Sequence, residues 1–195
     1  EDSPYRQIRF KGKHQTTFYK LDKGRGNVIT MFTFSKTFVP GFRLGYIIGS
    51  KDLIRKFVIL KQSMDLCTSP LLQRVTYEFL KSNKLAPHIK KIVKIYGKKR
   101  DCMVKALKKY MPKGVTWTEP EGGLFLWVAA PGHINCTKMF PTAIENNVAY
   151  VIGSAFHHDG AGDNTMRLNF SFATPKEIEE GIKRLAQAIK DELKK

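Results

Sequence analysis

Lys36 is the residue whose surroundings most favour covalent chemistry. It follows an apolar run (Val28, Ile29, Met31, Phe32), is flanked by hydroxyls at Thr33, Ser35 and Thr37, and stands seven residues before Arg43. A lysine held where burial or neighbouring cations disfavour its charge becomes a neutral nucleophile able to form a Schiff base, whereas a solvated lysine stays protonated at neutral pH. Hydroxyls and a guanidinium a few residues away suit a phosphate. The competing reading makes Lys36 one more surface lysine in a lysine-rich chain. Its place between a strand-like run and the Pro40-Gly41 turn signal argues for a site. Two further groups could contribute. Asp2 and Tyr5 bracket Pro4 near the start, and Arg167 sits in an alternating strand over 165–172, facing opposite Met166 and Leu168. Taken alone, Asp2 reads as a turn former and Arg167 as a surface charge.

The elements that must position these groups follow from periodicity. Residues 11–27 are polar and carry Gly12, Gly24 and Gly26, which reads as a loop with a short strand over 17–20. Residues 46–50 read as a buried strand, and Ser50 opens a helix to about residue 63 with an apolar stripe at Leu53, Ile54, Phe57, Val58 and Leu60. Pro70 can start a second helix over 71–82. A longer helix over 87–110, with Gly97 as a point of interruption, marks a change of domain, so the expected division is 1–86 and 87–195. Strands over 115–118 and 124–129 follow, joined by Glu119-Pro120-Glu121-Gly122-Gly123, where the glycines serve a hairpin turn or a substrate contact. A helix over 136–146, broken near Pro141, leads to a strand over 148–152. The last helix, 175–193, has acids at its start, a basic finish and Ile178, Ile182, Leu185, Ile189 and Leu193 at helical spacing.

Composition narrows the class. The chain has 195 residues, 42% of them hydrophobic, enough for a real core in one or two domains. Lys and Arg number 34 against 17 Asp and Glu, a net charge of +17 that attracts anionic partners. The basic residues cluster on outer helix faces without regularly interleaved aromatics, so nucleic acid is not the expected partner. No apolar run approaches the roughly 20 residues a membrane span needs. Cys67, Cys102 and Cys136 are widely spaced and odd in number, which fits a reduced, cytoplasmic setting rather than a disulfide framework or a paired zinc site. His157 and His158 adjoin on a loop and do not easily share one ion, so no metal is expected. The chain opens at Glu1 without methionine or an apolar leader, and an upstream portion is expected.

Set side by side, these segments resemble a known family. Thr33-Phe-Ser-Lys-Thr-Phe-Val-Pro-Gly-Phe-Arg-Leu-Gly45 is similar to the Schiff-base lysine segment of pyridoxal-phosphate-dependent class I aminotransferases, with Thr33 where the family usually has serine. Asp2 and Tyr5 resemble its Asp-x-x-Tyr segment; Pro120-Glu-Gly-Gly-x-Phe125, Gly153-Ser-x-Phe156 and Arg167-Leu-Asn-Phe-Ser171 follow in family order. Lys61-Gln-x-x-Asp-Leu-x-Thr-Ser69 resembles the branch of 2-aminoadipate aminotransferases and MocR-type regulators. The resemblance implies an α/β chain, the carboxy-terminal part of a fold type I transferase: the end of the large-domain sheet plus a small α+β domain. It implies pyridoxal 5'-phosphate as cofactor and Lys36 as the catalytic lysine. Asp2, Tyr5, Thr33, Ser35, Lys36 and Arg43 would hold the cofactor and Arg167 the substrate carboxylate. An amino group would pass from an L-amino acid to a 2-oxo acid, in a homodimer when full length. The alternatives are the effector domain of a MocR-type transcription regulator, and an incomplete fragment inactive on its own.

Overall fold

The computed structural model describes residues 1–194. It divides into two compact units, Glu1–Lys94 and the remainder from Ile95. The first contains α1 (Phe18–Asp22), β1 (Thr30–Thr33), β2 (Gly45–Ile48), α2 (Lys51–Met64) and α3 (Pro70–Lys81). The boundary falls inside the long helix α4 (Leu85–Tyr110). The second unit adds β3 (Thr116–Trp117), β4 (Phe125–Ala129), α5 (Cys136–Glu145), β5 (Val151–Ile152), β6 (Thr165–Asn169) and α6 (Pro175–Glu192).

In the first unit β1 and β2 pair antiparallel, Thr30 opposite Ile48 and Thr33 opposite Gly45, so the residues between them form one long hairpin connection. The amino-terminal segment runs parallel to β1 through an Asp2–Met31 bridge: the Met31 amide donates to the Glu1 carbonyl (2.8 Å) and the Ser3 amide to the Met31 carbonyl (3.3 Å). Helix α2 carries its apolar stripe without burying any residue of it. It ends where Lys61 pairs with Asp65 at 2.9 Å, and Leu66 then turns the chain with φ 63°.

Three expectations need correction, two in this unit and one in helix α4. Residues 17–20 are not a strand: the Thr17 hydroxyl accepts from the Lys20 amide (3.1 Å) and caps α1. The cap satisfies an amide that the β-branched composition alone would have assigned to a strand. The stretch 46–50 forms a strand as expected but is not buried, because among the described residues β2 has only β1 beside it; Tyr46 and Ile47 are 46% and 44% exposed. Helix α4 runs through Gly97 without a break.

The second unit has a drier core. Its antiparallel sheet has the order β3-β4-β6-β5. Alternation along β4 and β6 buries Leu126, Val128, Met166 and Leu168 on one face. Helices contribute Met103 and Leu107 from α4, Met139 and Ala143 from α5, and Ile178, Ile182, Leu185 and Ile189 from α6. The spacing of these residues at three and four is what turns one side of each helix inward. Helix α5 continues through Pro141, which takes away the N–H that would have met the Thr137 carbonyl, without ending the helix. Residues 119–123 form the connection of the β3–β4 hairpin, and Gly123 takes φ 81° there. Buried Arg100 anchors this turn by donating to the Pro120 carbonyl.

Candidate active site

The loop that carries Lys36 is held at three places. At its base, the Phe34 amide donates to the Leu44 carbonyl (3.0 Å), while the Thr33 hydroxyl donates to the same carbonyl (3.4 Å) and accepts from the Ser35 amide (3.1 Å). In its middle, Phe38 stacks on Phe79 of α3 with ring centroids 4.2 Å apart and meets Phe42 edge-on at 5.7 Å. At its far end, a Cβ on Gly45 would lie 2.5 Å from the Phe32 carbonyl oxygen, so only glycine lets the strands close there. Lys36 thus stands on a loop braced at its base, middle and far end.

Lys36 is half-buried, and its Nζ lies 5.7 Å from the centroid of the Tyr5 ring. No acidic side chain among the described residues pairs with it. Its half-burial differs from the buried amine that the apolar run leads one to expect. Arg43 closes the short 3-10 turn Pro40–Phe42 with φ 50° and ψ 37°. A non-glycine residue in the left-handed region costs on the order of 1 kcal/mol and is worth a functional explanation. Here the conformation brings its guanidinium back to Ser35, donating to the Ser35 hydroxyl and the Pro40 carbonyl at 3.3 Å each. A cation and a hydroxyl therefore meet on an exposed rim, with no described carboxylate to neutralise the cation. Asp2 is exposed and lies in the segment paired along β1. A cavity of about 150 Å³ borders the loop through Thr33 and Thr37, but neither Lys36 nor Arg43 lines it.

Arg167 belongs to the second unit. It lies on the sheet face opposite the buried Met166 and Leu168, directly across from Trp127 on β4 and Val151 on β5. Its guanidinium carbon lies 4.0 Å from the centroid of Phe125 and 4.6 Å from that of Phe156. Its Nε is buried without a hydrogen-bond partner among the described residues. No described carboxylate forms an ion pair with it. Phe156 ends the 3-10 turn Gly153–Phe156 and contacts Trp127 edge-on at 5.5 Å. A Cβ on Gly153 would lie 2.6 Å from the Thr165 carbonyl oxygen, so this turn also depends on glycine.

The structure thus brings Lys36 to Tyr5, and Ser35 to both Arg43 and Thr33, within the first unit. Arg167 stands in the second with an aromatic setting of its own. Phe125 and Phe156 escaped the residue-by-residue reading. They close the Glu-Gly-Gly-x-Phe and Gly-Ser-x-Phe stretches, and period-two alternation already places Phe125 and Trp127 on one face.

Residues 2–185 match the family model described as Aminotransferase class I and II. The chain belongs to that family. Its sequence is 45% identical over 195 residues to aromatic-amino-acid aminotransferase 1 of Thermococcus litoralis, covering all of this chain and 46% of that one. The chain superposes on the crystal structure of Pyrococcus horikoshii kynurenine aminotransferase, solved with PMP, with a TM-score of 0.96 at 47% identity; all of this chain and 48% of that one are covered. LysN, an alpha-aminoadipate aminotransferase of Thermus thermophilus complexed with N-(5'-phosphopyridoxyl)-L-leucine, matches with a TM-score of 0.94 at 32% identity, over 99% of this chain and 50% of its own. The fold is that of the fold type I aminotransferases. The chain spans about half the length of the curated relatives that it matches. No helix among the described residues is long and apolar enough to cross a membrane.

Proposed function

We propose that this chain is the carboxy-terminal part of a pyridoxal-phosphate-dependent aminotransferase that moves an amino group from an L-amino acid to a 2-oxo acid. One observation carries the reading: a half-buried lysine without an acidic partner among the described residues, set over Tyr5 on a braced loop whose next turn brings Arg43 onto Ser35. The donor set fits the cofactor. A guanidinium beside a hydroxyl suits a phosphate dianion. The Asp2 carboxylate would face the ring nitrogen and keep it protonated, the Tyr5 hydroxyl would meet the ring oxygen, and Lys36 would attach the aldehyde carbon. When bound, the protonated pyridine ring supplies an electron sink for negative charge at the substrate's alpha carbon.

The protein's own groups then divide the work. Lys36 Nζ would accept the proton from the substrate's alpha carbon and deliver it to the cofactor's aldehyde carbon, the transfer that transamination requires. Arg43 and Ser35 hold the phosphate, with Thr33 keeping Ser35 in place. Arg167 receives the alpha-carboxylate, for which a planar fork of N–H donors is the matching shape. The names of the relatives point to 2-aminoadipate, kynurenine and aromatic amino acids as the donors to try first. Free Cys67, Cys102 and Cys136 agree with a reducing compartment.

The test uses the full-length gene product. Titration with pyridoxal phosphate should give a visible absorbance band, and borohydride treatment should fix the cofactor's mass on the peptide containing Lys36. Lys36→Ala should remove both and lower transamination by about 10² to 10⁴ or more, the range expected for losing a proton-transfer group. A Lys36→Ala variant that keeps band and rate would overturn the assignment, as would a wild-type protein showing no band.

A further inference from the structure

We infer that Phe125 and Phe156 are positioning residues for the substrate carboxylate, acting through Arg167. The inference rests on the reading of Arg167 as the carboxylate receptor, and adds what makes that arginine effective. Arginine side chains are long and lose rotamer freedom when they bind, so an unsupported guanidinium on a sheet face is a weak receptor. Here two rings cover the cation, at 4.0 Å from Phe125 and 4.6 Å from Phe156. Each ring face attracts it, and together they shed water from it. Phe125 reaches it diagonally across the β4–β6 pair, since Phe125 is opposite Asn169 and Trp127 opposite Arg167. Phe156 reaches it from the turn after β5, where the close Gly153–Thr165 approach sets the ring's position.

Nε is the second observation. It is buried without a partner among the described residues, so the stem side of the guanidinium is closed. The terminal pair of N–H groups is what remains to receive a ligand, and those are the groups a carboxylate engages in a two-pronged bond. No described acid competes for them. The phenylalanines thus hold the fork in advance of binding, and their loss should weaken binding of every carboxylate substrate alike while leaving proton transfer at Lys36 intact.

The experiment compares Phe125→Leu, Phe156→Leu and their Phe→Tyr counterparts in the full-length gene product loaded with pyridoxal phosphate, each in the wild-type and the Arg167→Ala background. The readouts are kcat and KM for the amino acid and the 2-oxo acid, and calorimetric binding of 3-phenylpropionate, an unreactive carboxylate. Each leucine variant should raise KM for both substrates and weaken 3-phenylpropionate about three- to thirtyfold, with kcat nearly unchanged. Tyrosine should restore binding to within about threefold, since its ring face is kept. In the Arg167→Ala background the leucine substitutions should cost nothing further. Leucine effects that persist without Arg167, or that fall on kcat alone, would overturn the inference and leave Arg167 as the receptor. If Arg167→Ala itself leaves carboxylate binding unchanged, the receptor reading and this inference both fall.

Discussion

Arg43 shows how backbone strain at one residue can place a guanidinium. Its left-handed conformation is kept although glycine would adopt it at lower cost, and the guanidinium is thereby turned onto the Ser35 hydroxyl. Arg43→Gln should lower the affinity of the full-length product for pyridoxal phosphate about 10- to 100-fold, the loss expected of one charge-assisted hydrogen bond, in an equilibrium titration followed by absorbance. A change below about twofold would overturn the proposed role of Arg43 in holding the phosphate. Lys36, Ser35 and Arg43 were legible as a group because they lie within one short stretch. The bond that the Thr33 hydroxyl makes to the Leu44 carbonyl was not, since it joins residues brought together only by the hairpin.

Among the elements, α6 has the most complete end. Its Thr174 hydroxyl accepts from the Glu177 amide (3.3 Å), while the Glu177 carboxylate accepts from the Thr174 amide (2.7 Å), a reciprocal cap. Hydrogen bonds from the Thr174 backbone, and then from its hydroxyl, hold the Glu177 carboxyl below its ordinary value of 4.5. A carboxyl depressed in the folded state stabilises the fold above that ordinary value, and the contribution fades as pH falls through the lower folded value. Thermal melts of Glu177→Gln and the parent protein should therefore differ at pH 7 and converge as pH falls well below 4.5; a gap independent of pH would contradict the cap's charge dependence. The acid-rich, proline-led start of α6 was readable from spacing. The strand expected over 17–20 failed because a single side-chain cap outweighed local strand propensity, and caps of that size escape periodicity.

The two units differ in how much apolar surface they bury. In the first, Val58, Ile59 and Leu60 of α2 are each more than half exposed, and Met64 and Leu66 beyond them more so. The second holds a continuous core in which Leu107, Val128, Met166 and Leu185 are fully buried. Leu107→Ala should cost about 2–5 kcal/mol of folding stability in denaturant titration, as expected for a cavity left at a fully buried leucine. A cost below about 1 kcal/mol would mean that the core collapses around the gap. Burial also governs the thiols. Desolvation, helped by Asp163, pushes the buried Cys136 thiol up to about 12.

The order and chemistry of the segments, from Asp2 through Lys36 and Arg43 to Arg167, were present in the chain as written, because the lysine, the hydroxyls, the arginine and the turn residues between them are neighbours along the backbone. Helix and strand positions were mostly present too, since the period of apolar residues is a local property. Burial was not. Residues 46–50 read as a buried strand, yet burial depends on which elements lie on either side, and among the described residues β2 has only β1. Nor could spacing bring Phe125 and Phe156 onto Arg167, because that contact joins three separate segments through strand register and a glycine-dependent turn. The side-chain types are set by sequence; the surroundings that shape them arise only when distant segments pack.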